Sequence, residues 1–207
     1  MTDVVGVPLS TAAACTGCGA PRVLPVVCTE CGTIFEIPSD AFEFFGLARS
    51  WAVDLPSLEQ RYDALSRAFR EKSSARTDGL ERSKAAVEAL DAARRLLLDP
   101  VERARYLLTS YGGVEREKPM RKREFQSEVM EIDRAFTKAR QEGDAARLAS
   151  AVLEAEEKLA SAIVAAGQSF TRLERSLSEE LGAAADALAE ARFWRRKVDE
   201  LRAGLGG

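Results

Sequence analysis

The chain has 207 residues, of which 46% are hydrophobic and 30% charged, with a net charge of −3. That balance suits a helix-rich protein with its own core, gives no overall pull towards nucleic acid or an anionic membrane, and leaves no apolar run near the roughly 20 residues of a membrane span. Not one histidine is present, which excludes Ser-His-Asp and Cys-His nucleophiles, every His-ligated metal site and the usual general base at neutral pH.

No G-x-G-x-x-G, Walker A loop or paired acidic motif is found either, so the chain reads as non-enzymatic. The N-terminus lacks the basic and apolar regions of a secretory signal. A cytoplasmic, reducing compartment is therefore expected, in which four cysteines point to metal rather than disulfides.

Residues 1–14 are small and polar. Then comes Cys15-Thr16-Gly17-Cys18-Gly19, followed by Cys28-Thr29-Glu30-Cys31-Gly32. Each C-x-x-C pair makes a tight turn that aims two thiolates at one point. Two such turns form the closed four-sulfur site of structural zinc. Gly19 and Gly32 permit the backbone angles that turn amides towards the sulfurs. Iron in a rubredoxin-like site is the rival reading, and free thiols or disulfides the plainest one. A zinc knuckle can also bind nucleic acid. Here it carries only Arg22 as a basic residue and no aromatic before Phe35, which argues against that use.

From Asp40 the pattern is helical nearly to the end. Asp40 caps a first short helix holding Phe42, Phe44, Phe45 and Leu47. Pro56 opens a second helix, with Leu58, Tyr62, Leu65 and Phe69 at the spacing of one buried face. Residues 73–79 are a polar break. A third helix carries Ala86, Val87, Leu90, Ala93 and Leu97, and Asp99-Pro100 stops it and begins a short helix that ends at Gly112-Gly113. A charged linker, 114–122, contains Pro119. Three longer helices follow: one with Phe125, Val129, Ile132 and Phe136, ending near Gly143; one with Leu148, Val152, Ala155, Leu159 and Ile163; and one from about Gly182 with Leu188, Ala191, Val198 and Leu201. Short connections predict an antiparallel bundle.

The stretch from residue 40 to 207 resembles the HscB family, the J-domain co-chaperones of iron–sulfur cluster assembly. The resemblance rests on Ala41 to Leu47, Val53-Asp54, Leu58 to Tyr62, Asp99 to Leu108 with its P-x-x-R-A-x-Y-L-L pattern, Tyr111-Gly112, Glu128 to Ile132, Ala183 to Asp186 and Arg192-Phe193. An N-terminal four-cysteine unit is similar to that of the animal and plant mitochondrial members. The resemblance implies an all-α fold in three parts: a zinc knuckle over 1–38, a J-like domain with a helical hairpin over 39–113, and an elongated three-helix bundle over 114–207. It implies two partners, a DnaK-type (HscA-like) chaperone and an IscU-like cluster scaffold. Chaperone binding is expected at Arg61, Arg67, Arg70, Glu71 and Lys72, and scaffold binding at Met130, Glu131, Arg192 and Phe193. The site residues are otherwise Cys15, Cys18, Cys28 and Cys31 for Zn2+.

The chain departs from the family at its His-Pro-Asp tripeptide, which becomes Arg70-Glu71-Lys72. In J-domains that tripeptide triggers ATP hydrolysis by the chaperone. Gln126 and Arg134 also replace an apolar and an acidic residue of the scaffold-binding surface. Two readings follow: a co-chaperone that delivers its scaffold and regulates the ATPase, or a zinc-dependent adaptor that has lost the trigger. A third, the nucleic-acid-binding knuckle with a helical arm, conflicts with an acidic chain whose basic residues are dispersed.

Overall fold

The computed structural model describes residues 14–72, 79–119, 123–176 and 180–205, with side chains except those of 71, 72 and 79–82. Among the described residues there are seven helices and no strand, only the isolated bridges Ala14↔Pro21 and Val27↔Ile34 near the cysteines. Two compact units divide the chain, one ending at Asp99 and the other beginning at Pro100.

In the first unit, α1 (Ala41–Phe44) is a single turn. Asp40 accepts from the amides of Phe42 and Glu43 at 2.7 and 3.2 Å, satisfying two donors that the helix start leaves open. The turn stops sooner than the sequence suggested, because Gly46 sits at φ +61°. The amide of Gly46 returns to the carbonyl of Glu43 and that of Leu47 to Phe42, closing the helix in a Schellman motif with Leu47 outside it.

Helix α2 (Leu55–Lys72) and helix α3 (Gly79–Leu98) pack against each other, and α1 packs on α3. Leu58, Leu65 and Phe69 of α2 and Ala86, Leu90 and Leu97 of α3 are buried, as are Phe42, Phe44 and Phe45. Burying each such leucine or phenylalanine contributes about 1.5–3 kcal/mol. Tyr62, which shares their spacing, is only half-buried. Its hydroxyl donates to Asp91 at 2.8 Å, and the Arg94 guanidinium lies over its ring at 4.6 Å while gripping Glu59. The polar edge of the hairpin is thereby tied across both helices. Of the polar break read at 73–79, residues 73–78 lie outside the described residues and Gly79 begins α3.

The second unit holds α4 (Pro100–Ser110), α5 (Arg123–Glu142), α6 (Ala145–Leu173) and α7 (Leu181–Ala203). Gly112 at φ +78° and Gly143 at φ +67° end α4 and α5, as their sequence positions indicated. α6 and α7 form the main pair, α5 packs on α6, and α4 packs on both α6 and α7. Both helices bury alanines, with Ala155, Ala162 and Ala166 on α6 and Ala184, Ala185 and Ala191 on α7. Small side chains let helix axes approach towards the short end of the roughly 8–10 Å range. Phe170, Leu173, Leu188 and Trp194 are the large side chains buried on the same two helices.

The apolar face read on α6 needs correction. Leu159 and Ile163 are half-buried, whereas Ala162, Ala166 and Phe170 are buried. A helix touched by three neighbours buries more than one stripe, so a single periodic face understates it.

Candidate metal centre and partner surfaces

Two turns build the cysteine site. The amide of Gly19 bonds the carbonyl of Cys15 at 2.8 Å, and that of Gly32 bonds Cys28 at 3.0 Å. Both glycines have left-handed backbones, φ +75° and +71°, which a side chain would strain. The turns bring Cys15, Cys18, Cys28 and Cys31 together with all four sulfurs within 4.8 Å of one another. Cys15 Sγ lies 3.6 Å from Cys31 Sγ, and Cys18 Sγ lies 3.7 Å from Cys28 Sγ. Four sulfurs about 2.3 Å from one ion stand about 3.8 Å apart. A disulfide needs about 2.05 Å, and all four thiols are free.

The donor set fits a dication electrostatically as well. The Thr33 hydroxyl and then the Thr33 amide lower the Cys31 thiol to about 6. Cys18 is pushed up to about 12. The Ala20 amide lowers it, but Cys31, burial, Cys28 and Cys15 together raise it further. Neighbouring thiolates repel, so one ionises readily and the next does not. A metal dication removes that obstacle, and the four cysteines form a possible metal-binding site. Sequence spacing alone did not disclose Gly17 and Thr33. The Gly17 amide donates to Cys15 Sγ at 3.3 Å, and Thr33 Oγ1 lies 3.0 Å from Cys31 Sγ. A threonine two positions after the last cysteine was the only available signal.

The residues expected to meet a chaperone have different environments. Arg61 donates through Nη1 to the carbonyls of Phe45 and Gly46 at 2.7 and 2.9 Å, so its guanidinium closes the end of α1. Arg67 and Arg70 are exposed and, with Tyr62, Asp63 and Ser66, line an open cleft of about 360 Å³ along α2. Residues 70–72 are helical, and the side chains of Glu71 and Lys72 lie outside the described residues.

On the bundle, Met130 is 51% exposed and Glu131 is exposed. Phe193 is half-buried, 5.0 Å from the Phe125 ring and 5.5 Å from that of Trp194, which is buried. Met130 follows Phe125 by five residues, about 140° round α5, so it does not join that aromatic cluster. Arg192 pairs with Glu115, Arg195 with Glu102, and Lys197 with Asp133 and Glu200. The basic edge of α7 is thus met by carboxylates from three other segments, which no local pattern revealed.

No family model matches the chain, and no curated protein matches it in sequence. Solved structures do. The human co-chaperone protein HscB superposes with a TM-score of 0.71 at 21% identity, covering 93% of this chain and 98% of that one. The chaperone HscB from Vibrio cholerae superposes at 0.60 and 24% identity, covering 79% of this chain and 95% of its own. This is the HscB fold. The match to human HscB, at 93% of the chain, must include part of the stretch before Asp40. At these identities the likeness concerns architecture. Among the described residues no helix is long and apolar enough to cross a membrane.

Proposed function

We propose that this chain is a non-enzymatic co-chaperone that carries an IscU-like iron–sulfur scaffold protein to a DnaK-type chaperone. The observation that supports it most is the HscB fold over 93% of the chain, joined to a four-cysteine cluster ahead of the helices. In this reading the knuckle over 1–38 holds one Zn2+ through Cys15, Cys18, Cys28 and Cys31. The J-like part, 39–113, meets the chaperone with Arg61, Arg67, Arg70, Glu71 and Lys72, Arg61 also holding the end of α1 through Nη1. The bundle, 114–207, meets the scaffold with Met130, Glu131, Arg192 and Phe193, and the protein works in the cytoplasm. When bound, zinc supplies charge neutralisation and folding free energy rather than reaction chemistry.

One observation favours the adaptor form of this function, without ATPase triggering. The last turn of α2 runs through Arg70, Glu71 and Lys72, and a proline in the place of Glu71 would remove an amide donor from that turn. Single-turnover ATPase of the cognate chaperone, with and without this protein and scaffold, tests the choice. We expect much less stimulation than a His-Pro-Asp protein gives, and partial recovery when Arg70→His, Glu71→Pro and Lys72→Asp are introduced together. Full stimulation by the natural chain would restore the ordinary co-chaperone reading. No stimulation by either version would reduce the likeness to a shared fold.

A further inference from the structure

The four cysteines are not equivalent. Cys15 and Cys28 are buried, whereas Cys18 and Cys31 are exposed, so an electrophile or competing chelator reaches the site through the latter pair. Thr33 stands over one of these two corners. Its carbonyl accepts the amide of Cys28 at 2.9 Å, which fixes its backbone to the second turn. Its hydroxyl lies 3.0 Å from Cys31 Sγ. A metal-bound thiolate has no proton, so in that state the hydroxyl must be the donor.

The first turn leaves room for this arrangement. A Cβ on Gly17 would fall 2.4 Å from Thr33 Oγ1 and 3.4 Å from Cys31 Sγ. Glycine at 17 is therefore needed by the neighbouring hydroxyl, since its own φ is not among the left-handed ones. The Gly17 amide also donates to Cys15 Sγ at 3.3 Å. One small residue and one hydroxyl thus link the two turns across the sulfurs.

We propose that Thr33, seated over Gly17, is a positioning residue that shields the Cys31 thiolate and slows metal loss from the knuckle. This rests on the zinc reading given above. A hydrogen bond to a ligand sulfur orients it and withdraws charge from it, and such outer partners typically carry 10–100-fold of metal affinity.

The test uses the full chain loaded with zinc, with metal content measured first. Zinc release to a chromogenic chelator is then followed during N-ethylmaleimide treatment, and the alkylated cysteines are mapped by mass spectrometry. For Thr33→Val we expect release about tenfold faster, with Cys31 labelled first, while Thr33→Ser stays near the natural rate. Gly17→Ala, which displaces the hydroxyl, should accelerate release similarly. The Gly17→Ala, Thr33→Val double variant should be no faster than either single one, because both remove the same contact. Equal rates for natural protein and Thr33→Val overturn the proposal while leaving the zinc reading intact, as does a Thr33→Ser as fast as Thr33→Val. A natural chain that takes up no zinc overturns both.

Discussion

Asp40 does two jobs with one carboxylate: it caps α1 through the amides of Phe42 and Glu43, and it accepts from Arg49 Nε at 2.9 Å. Burial pushes this carboxyl up, but the Arg49 hydrogen bond and the two amides outweigh it and hold it below its ordinary value of 3.8. A depressed folded-state value means the carboxylate stabilises the native state above about pH 4 and ceases to do so as pH falls through the lower value. Asp40→Ala should cost about 1 kcal/mol at neutral pH. The melting-temperature gap to the natural protein should hold between pH 7 and about 4 and narrow below that. A gap that is unchanged at low pH would show that the charge plays no part.

At the level of elements, α5 and α7 present their expected partner residues differently. Met130 is 51% exposed, while Phe193 packs edge-on in a three-ring cluster with Phe125 and Trp194. Met130→Ala should change folding free energy by less than about 0.5 kcal/mol. Phe193→Ala should cost about 1–3 kcal/mol, less than a fully buried phenylalanine. If both anchor the scaffold protein, each substitution weakens binding by more than about 1 kcal/mol. Chemical denaturation and titration calorimetry on the two single variants separate the effects. Unchanged scaffold binding by Met130→Ala would remove that residue from the interface. Arg61 on α2, also expected at the chaperone surface, donates through Nη1 to the carbonyls that close α1.

For the molecule as a whole, the knuckle and the helices are expected to draw stability from different sources. Among the described residues around the cysteines, the buried apolar side chains are Val26 and Val27 beside Cys15 and Cys28 themselves, too few to offset the chain entropy of ordering that segment. A bound metal could supply on the order of 10 kcal/mol there. The helices have cores of their own. Cys28→Ser should therefore abolish binding of about one zinc per chain, measured by atomic emission, while the far-ultraviolet helical signal of 40–207 persists. Because the ligand thiols must lose protons, zinc affinity should fall as pH is lowered. Loss of helicity in step with the metal would contradict separate sources of stability.

What the sequence determined by itself was local. Paired C-x-x-C turns specify a four-sulfur cluster because each turn fixes two thiols within a few residues. Helix periods, Asp40, Pro100, Gly112 and Gly143 mark most element boundaries for the same reason: caps and breakers act over one turn of chain. The tertiary structure decided whatever depends on segments far apart in sequence. It gave α6 its second buried stripe, carried Arg61 to the carbonyls of Phe45 and Gly46, and set Glu115 against Arg192, 77 residues away. It also placed Thr33 over Gly17. Periodicity records that a face is covered but not by what, and a charge in a sequence does not name its partner. Only packing brings the two ends of such a pair within hydrogen-bonding distance.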